Sequence, residues 1–118
     1  MNVILVDDST MVRARLTTLL SGINGVHVIG HAGAEDEAFD LIIEKRPDVV
    51  VMDIALEVGS GLDVLRRMRK VNMDTRVVML TNETAGRYKD MSVKLGAQEY
   101  YDKSMDLEFL VERIRGWL

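Results

Sequence analysis

The sequence predicts an α/β protein built on an open, doubly wound sheet of five parallel strands, with five helices covering its two faces. Short apolar segments alternate five times with longer segments in which apolar residues recur at helical spacing. Three of the short segments are apolar at nearly every position, as expected for parallel strands covered on both faces. Five such units are too few for an eight-stranded barrel, so the sheet should stay open.

The predicted strands alternate with predicted helices, which indicates parallel pairing through right-handed crossovers. The first, third and fourth strands are the most apolar and suit the middle of the sheet, whereas the more polar fifth strand suits an edge. The strands are predicted at Val3–Val6, Val26–His31, Val49–Met52, Val77–Leu80 and Gln98–Tyr101.

Each predicted helix carries its apolar residues along one face. Pro47 disfavours helical geometry in the preceding residue, so the second helix should end before it, and Gly96 should end the fourth. The five apolar faces consist of Val12, Leu16, Leu19 and Leu20; Ala38, Leu41 and Ile42; Leu62, Leu65 and Met68; Tyr88, Met91 and Leu95; and Leu107, Leu110, Val111, Ile114 and Leu118.

Composition and charge exclude several functional classes. The chain has 118 residues and no cysteine, which excludes disulfides and thiolate metal sites. A net charge of −4 argues against nucleic-acid binding by this domain through a broad basic face. One basic cluster falls near the end of the third predicted helix, where cations complement the helix dipole, and we interpret it as a solvated helix end. This cluster consists of Arg66, Arg67, Arg69 and Lys70.

The N-terminal segment lacks the basic start and long apolar stretch of a signal peptide. No segment approaches the roughly 18 consecutive apolar residues of a membrane span. We therefore expect a cytoplasmic protein that makes no membrane contact. Its length and the lack of a linker-like segment predict one domain over residues 1–118.

Chemically useful residues follow the strands at their carboxyl ends, the edge where doubly wound sheets place their sites. Asp7 and Asp8 follow the first strand, Asp53 the third, Thr81 the fourth and Lys103 the fifth. In the flavodoxin-like strand order 2-1-3-4-5, which we adopt from that fold type, the first and third strands are neighbours. The three carboxylates are then expected to converge, although they lie far apart in the sequence.

Carboxylates in one crevice repel one another unless a cation intervenes, and Mg²⁺ favours such oxygen ligands together with phosphate. Lys103 adds a positive charge and Thr81 a hydroxyl, and both can bind phosphoryl oxygens. Asp53 is the best nucleophile because it stands alone after a central strand, and carboxylates form acyl phosphates. Asp7 and Asp8 then suit metal coordination. Each residue alone is a weak signal, whereas the ordered set points to phosphoryl transfer.

Two other functions use similar elements and remain alternatives. A flavodoxin-like FMN-binding protein needs a Ser/Thr/Gly-rich phosphate loop after the first strand, where this chain has Asp7 and Asp8. A haloacid-dehalogenase-like phosphatase also uses an aspartate nucleophile, but within a DxD sequence on the first strand, where this chain reads DDS. Flavin absorbance would identify the first, and multiple turnover on a phosphate ester the second.

The candidate residues lie in segments that closely resemble the response-regulator receiver domains of two-component signalling: ILVDDSTMVR, PDVVVMDIALEVGSGLDVL, VVMLTN and GAQEYYDKS. The resemblance extends from Asn2 to Leu118, and GSGLDVL and YYDKS are most similar to the subgroup that often carries a helix-turn-helix output domain. It implies a chemotaxis-receiver-like fold and a switch that catalyses only its own phosphotransfer and slow dephosphorylation. The implied phosphodonor is a sensor histidine kinase or a phosphotransfer domain. A degenerate receiver that acts without phosphorylation is a third alternative.

The resemblance implies a role for each residue of the acidic site. Asp53 matches the phosphoacceptor. Asp7 and Asp8 match the acidic pair that binds Mg²⁺, with Asp8 favoured as the direct ligand. The backbone carbonyl of Ala55 matches a further ligand.

The resemblance also implies a switch. Thr81 and Lys103 match the phosphate contacts, and Tyr100 matches the aromatic residue that turns inward when Thr81 moves. Two prolines that are common in receivers are replaced here, by Glu57 in the loop after the phosphoacceptor and by Ser104 after the lysine. Neither replacement removes a chemical group from the site, but both are expected to affect its loops.

The implied readout surface consists of the fourth helix, fifth strand and fifth helix, around Tyr88, Met91, Tyr100 and Tyr101. Strand alternation places Tyr100 and Tyr101 on opposite faces, so that one should be buried and the other should point outward. An output partner or domain would bind this surface, and the chain would be a monomer or a dimer modulated by phosphorylation.

Overall fold

The computed structural model describes all 118 residues, and strands and helices alternate along the whole chain. The strands are β1 (Asn2–Val6), β2 (His27–Ala32), β3 (Val49–Met52), β4 (Arg76–Thr81) and β5 (Glu99–Asp102). The helices are α1 (Thr10–Ser21), α2 (Glu35–Lys45), α3 (Gly61–Lys70), α4 (Gly86–Lys94) and α5 (Leu107–Gly116). Neighbouring strands are all parallel and the sheet order is β2-β1-β3-β4-β5, which confirms the predicted fold class.

The strands differ from their predicted positions only at their ends, and β3 coincides with its prediction. Gln98 is predicted to begin the fifth strand, but β5 starts one residue later. Gln98 nevertheless completes the sheet edge, because its side-chain Oε1 accepts the Val77 N–H at 2.7 Å and its own N–H donates to the Val77 carbonyl at 2.9 Å. A side-chain oxygen thus replaces a backbone carbonyl in the ladder.

Side chains alternate between two cores, one on each face of the sheet. Ile4 and Val6 of β1 pack with α2 and α3, whereas Val3 and Leu5 pack with α1 and α5. Every residue of β3 is buried, as expected for a central strand. Because burial on both faces fixes strand register, the residues that follow β1 and β3 are held at defined positions.

Helix α4 is less buried than its predicted apolar face suggests. Tyr88 and Leu95 contact the core, but Met91 is 36% exposed and Ser92 is the only buried residue of the helix. The helix packs mainly against α3 and the edge strand β5, and both contacts are small. Leu19 of α1, also assigned to an apolar face, is exposed as well. Movement of α4 would therefore disrupt little of the core.

The helix ends follow the sequence signals. Helix α2 ends at Lys45, and Arg46 takes the left-handed conformation at φ 45° directly before Pro47. Gly96 follows α4 with φ 81°, a conformation that favours glycine. Leu118 lies beyond the end of α5 and is exposed, contrary to its assignment to the apolar face. None of the five helices combines the length and the apolar character that crossing a lipid bilayer requires.

Arg67, Arg69 and Lys70 lie in the last turn of α3, as predicted, but the interpretation of the cluster as solvated is wrong for Arg67 and Arg69. The Arg69 guanidinium donates to the carbonyls of Leu95 and Gly96, at 2.9 and 3.0 Å, where α4 ends. Burial lowers the pKa of Arg69, which has no carboxylate within ion-pair distance. Arg67 contacts two carboxylates at the start of α2. Both side chains join α3 to neighbouring elements, which helical periodicity alone does not reveal.

Candidate functional site

Three aspartates meet at the carboxyl edge of the sheet. Asp7 and Asp8 follow β1, and Asp53 follows β3, the neighbouring strand. Their carboxylate oxygens lie within 4.8 Å of one another, although Asp8 is exposed while Asp7 and Asp53 are 3% and 5% exposed. The N–H of Asp53 donates to the Val6 carbonyl at 2.8 Å, so the strand ladder extends into the site.

Further contacts fix the loop that carries the acidic pair. The Ser9 N–H donates to Asp7 Oδ1 at 2.8 Å, and Ser9 caps the first turn of α1. Arg13, one turn into α1, donates to the Asp7 carbonyl at 2.7 Å. This role of Arg13 was not predicted from the sequence, because an arginine within an amphipathic helix carries no signal of a contact to the preceding loop.

Lys103 neutralises part of this charge. Its Nζ lies 2.6 Å from Asp53 Oδ2 and 2.7 Å from Asp7 Oδ2, and its backbone N–H donates to the Thr81 carbonyl. Burial raises the pKa of Asp7, and the hydrogen bond from Lys103 only partly offsets this effect. Burial disfavours the charged form of Lys103, but its hydrogen bonds to Asp53 and Asp7 outweigh burial and raise its pKa. One ammonium group therefore forms ion pairs with two buried carboxylates.

The second oxygen of Asp53 is exceptional. Oδ1 is the only buried side-chain oxygen or nitrogen of the chain that has no hydrogen-bond partner. An unpaired acceptor in such a place is unfavourable, by roughly 1–3 kcal/mol. Oxygen donors from three carboxylates, one of them orphaned, fit a hard divalent cation such as Mg²⁺.

Thr81 and Tyr100 are joined through Glu83. Thr81, buried at the end of β4, accepts the Glu83 N–H at its Oγ1 at 3.3 Å, and the Tyr100 hydroxyl donates to the Glu83 carbonyl at 2.6 Å. Burial raises the pKa of Tyr100, and the charges of Glu83 and Asp53 add to this. Tyr100 and Tyr101 do face opposite cores, but both are half-buried, so the expectation of one buried and one outward ring is wrong. Helices on both faces of the edge strand cover each ring in part.

The loop after β3 comes close to Asp53. A Cβ atom added to Gly61 would overlap the Asp53 carbonyl oxygen, so only glycine fits there, and the Gly61 N–H donates to the Ile54 carbonyl at 2.8 Å. Ala55 is exposed within this loop and forms an isolated bridge with Ser60. Gly61 belongs to the GSGLDVL segment, but its packing against Asp53 was not foreseen from the sequence.

The chain is similar to known proteins over almost its whole length. Residues 3–115 match a family model described as the response regulator receiver domain. The chain belongs to this family. This receiver is 33% identical to the response regulator GacA of Pseudomonas aeruginosa, over 96% of the chain and 53% of GacA. It is 32% identical to the response regulator UvrY of Escherichia coli, over 97% of the chain and 52% of UvrY. The receiver thus spans about half the length of the curated relatives it matches.

Solved structures agree with the family assignment. A DNA-binding response regulator of the LuxR family from Staphylococcus aureus superimposes with a TM-score of 0.90 at 27% identity, covering 98% of this receiver and 96% of that chain. The response regulator domain of Thermotoga maritima CheB superimposes with a TM-score of 0.86 at 26% identity, covering 99% and 92%. The family consists of signalling switches rather than metabolic enzymes, and this assignment replaces the FMN-binding and phosphatase alternatives.

Ser104 and Glu57, which replace prolines that are common in receivers, both form hydrogen bonds that hold their loops. No peptide bond is cis, and Ser104 bonds to Asp102 Oδ1 through its N–H at 2.8 Å and its hydroxyl at 2.6 Å. These bonds hold the pKa of Asp102 below its usual value. The Glu57 N–H donates to the Gly33 carbonyl at 3.0 Å, which ties the loop after β3 to the loop after β2.

Proposed function

We propose that this receiver accepts a phosphoryl group on Asp53 from a sensor histidine kinase or a phosphotransfer domain, in a Mg²⁺-dependent reaction that controls an output partner or domain. The observation that carries the proposal is the asymmetry of the Asp53 carboxylate. Lys103 holds Oδ2 at 2.6 Å, while Oδ1 is buried and unpaired. A nucleophile needs a free lone pair and a fixed orientation, and this carboxylate has both.

The transfer is a displacement at phosphorus. The Asp53 carboxylate forms the new O–P bond while the P–N bond of a phosphohistidine breaks, and the electron pair of that bond leaves with the imidazole. Lys103 and Thr81 then bind phosphoryl oxygens, because an ammonium group and a hydroxyl can both donate to them. Lys103 already lies within contact distance of the acceptor, so little rearrangement is needed on its side.

Four residues would hold Mg²⁺: the carboxylates of Asp7, Asp8 and Asp53 and the backbone carbonyl of Ala55. The close approach of the three carboxylates and the orphaned Asp53 Oδ1 support the carboxylate ligands, and the resemblance to receivers implies the Ala55 carbonyl. Bound Mg²⁺ supplies positive charge that offsets the acidic cluster and the incoming phosphoryl group. The contribution of the chain is to hold these oxygens in place and to limit the access of water to Asp53.

Thr81 would link the modified site to the readout surface. Its Oγ1 accepts from Glu83, so its hydroxyl hydrogen is free to turn toward a phosphoryl oxygen. Movement of Thr81 removes an acceptor from the Glu83 N–H, and the carbonyl of the same residue holds Tyr100. Tyr100 and the lightly packed helix α4 then take a different arrangement. Couplings of this type are typically about 1–3 kcal/mol, or 5–150-fold in partner affinity.

Acetyl phosphate with Mg²⁺ tests the acceptor function. We expect the intact mass of the wild type to increase by one phosphoryl group, and we expect no increase for Asp53→Ala or without Mg²⁺. The conservative control Asp36→Asn, on an exposed residue of α2, should be labelled like the wild type. Wild-type protein that gains no mass, or Asp53→Ala that gains the same mass, would overturn the proposal.

Beryllofluoride, which mimics a phosphoryl group, tests the switch separately. NMR shift changes are expected at Tyr88, Met91, Tyr100 and Tyr101, as well as in the acidic site. Changes confined to the loops that carry Asp7, Asp8 and Asp53 would contradict the proposed α4-β5-α5 readout. The same proposal includes the kinase as phosphoryl donor and the output partner or domain as the target of the switch. It also includes a cytoplasmic location and a receiver that is a monomer or a dimer modulated by phosphorylation.

A further inference from the structure

Two loops beside the acidic site are joined along their backbones. The loop between β2 and α2 contacts the loop between β3 and α3 through two hydrogen bonds, from the Glu57 N–H to the Gly33 carbonyl and from the Glu35 N–H to the Val58 carbonyl, at 3.0 and 2.9 Å. Ala34 and Val58 also form an isolated parallel bridge. The loop that follows Asp53 therefore has a partner on the side away from Lys103.

The Glu35 side chain strengthens this junction. Its Oε1 accepts the Ser60 N–H at 3.1 Å, and its Oε2 accepts from Arg67 Nη1 at 3.2 Å. The side chain is only 21% exposed. Gly59 makes room for it, because a Cβ on Gly59 would lie 2.5 Å from both Cβ and Oε1 of Glu35, and the φ of +83° disfavours other residues as well.

The bonded segment leads directly to the proposed acceptor. Ser60 caps α3 by accepting the Leu62 N–H at 3.1 Å, and the next residue, Gly61, packs against the Asp53 carbonyl. The segment from 53 to 61 is thus held at one end by the β3 ladder and at the other by Glu35. Glu57 supplies no proline ring to restrict the backbone of this loop, and the Glu35 carboxylate adds a side-chain contact to the backbone bonds that hold it.

We propose that Glu35 is a positioning residue for the acceptor site, which fixes the loop after β3 so that Asp53 and the Ala55 carbonyl are preorganised for a divalent cation and a phosphoryl group. This inference rests on the proposed function of Asp53. Glu35 touches neither the acceptor nor the acidic pair, and it acts through Ser60 and Gly61. Groups bonded directly to metal ligands typically change metal affinity or activity by 10–100-fold when they are removed, and Glu35, which acts one step further out, should fall at the lower end of that range.

Asp36 provides a matched control. It also forms an ion pair with Arg67, at 2.7 Å, but its side chain is 89% exposed and it makes no bond to the loop after β3. Substitution of Asp36 therefore removes a charge partner of Arg67 without releasing Ser60. Arg67 also lies over the Phe39 ring, 4.2 Å from its centroid, which keeps the guanidinium near α2 in either variant.

The experiment compares Glu35→Ala, Glu35→Gln and Asp36→Asn with the wild type. Three quantities are measured: the Mg²⁺ dissociation constant by calorimetry, amide hydrogen exchange across residues 55–60 without Mg²⁺, and unfolding in urea. For Glu35→Ala we expect about tenfold weaker Mg²⁺ binding and faster exchange at Ser60. Glu35→Gln retains an acceptor for the Ser60 N–H and should restore most of the affinity. Asp36→Asn should match the wild type.

Two outcomes would overturn the inference: Glu35→Ala with wild-type affinity and exchange, or Asp36→Asn with the same losses as Glu35→Ala. If Glu35→Ala does not fold, Glu35→Asp, whose carboxylate is one methylene short of Ser60, replaces it in the same comparison. Wild-type protein that binds no Mg²⁺ and accepts no phosphoryl group would refute the proposed function of Asp53 instead. The exchange measurement would still report whether Glu35 holds the loop.

Discussion

The ammonium group of Lys103 lies 2.6 Å from Oδ2 of Asp53, while Oδ1 of the same carboxylate is buried without a hydrogen-bond partner. Lys103 also contacts Asp7 at 2.7 Å, so the interior of the site holds two carboxylates and one cation. Asp8 adds a third carboxylate at the surface. This imbalance of charge determines how the receiver should respond to substitution, to Mg²⁺ and to pH.

Lys103→Met should lower the free energy of unfolding by about 3 kcal/mol without Mg²⁺, because two buried carboxylates lose their only cation. Urea unfolding at neutral pH measures this loss. Lys45→Met is the control, since Lys45 pairs with Glu44 at 3.8 Å on the surface, and exposed pairs contribute less than about 1 kcal/mol. Equal losses at the two lysines would show that Lys103 does not balance a buried charge.

Asp53→Asn should raise the free energy of unfolding by about 1 kcal/mol without Mg²⁺, because it removes one buried negative charge and leaves Lys103 paired with Asp7. Mg²⁺ at several times its dissociation constant should stabilise the wild type by about 1 kcal/mol and this variant much less. Thermal unfolding with and without a chelator measures both effects, with Asp90→Asn on the exposed face of α4 as the control. A wild-type melting curve that Mg²⁺ leaves unchanged would argue against a metal site here.

The pH dependence of stability should have two opposite origins. Burial raises the pKa of Asp7 above 3.8, so the native state retains a proton that the unfolded chain has released, and stability falls as pH rises through this interval. Burial opposes the charged form of Lys103, but the bonds to Asp53 and Asp7 raise its pKa above 10.5. The contribution of Lys103 to the free energy of unfolding is therefore complete below pH 10.5, and it disappears as pH rises through the pKa of Lys103 in the folded state.

Urea unfolding across pH checks these two assignments separately. Asp7→Asn should remove the decline in the free energy of unfolding that begins near pH 3.8. Lys103→Met should remove the loss of stability above pH 10.5. The wild type should show both. Identical pH profiles for the wild type and the two variants would place the titrating groups elsewhere in the chain.

Gly61→Ala should destabilise the receiver by about 2 kcal/mol and slow the labelling of Asp53 by acetyl phosphate, because the added Cβ displaces the Asp53 carbonyl. Gly86→Ala is the matched control, since a Cβ there meets no atom within 4 Å. That control should be neutral or stabilise by about 0.5 kcal/mol. Comparable losses for both substitutions would mean that the loop does not depend on a close approach at Gly61.

The convergence of the three aspartates could be predicted from the sequence because it depends on sheet order and strand ends. Apolar segments marked where β1 and β3 end, and the strand order adopted from the flavodoxin-like fold then placed Asp7, Asp8 and Asp53 close together on one edge. Two helix ends, at Arg46 and Gly96, followed for similar local reasons, since Pro47 and a left-handed glycine act on neighbouring residues.

The contacts that refine the site could not be predicted, because they join residues whose types carry no periodic signal. In the sequence, Glu35 is a typical acidic residue of a first helical turn. In the structure, its carboxylate also accepts the N–H of Ser60 from the loop after β3. In the sequence, Arg69 is one of several basic residues at the end of a helix. In the structure, it donates to the carbonyls of Leu95 and Gly96, directly after α4. Such contacts depend on the relative placement of whole elements, which propensity does not encode.

Borohydride reduction after labelling tests the identity of the acceptor most directly. An aspartyl phosphate formed with acetyl phosphate and Mg²⁺ is reduced to homoserine, and peptide mass spectrometry locates the reduced side chain. Reduction at position 53 alone is the predicted result, because only the Asp53 carboxylate combines a fixed oxygen with a buried, unpaired one. Homoserine at position 7 or 8, or labelled protein with none at position 53, would contradict the assignment of Asp53 as the phosphoryl acceptor.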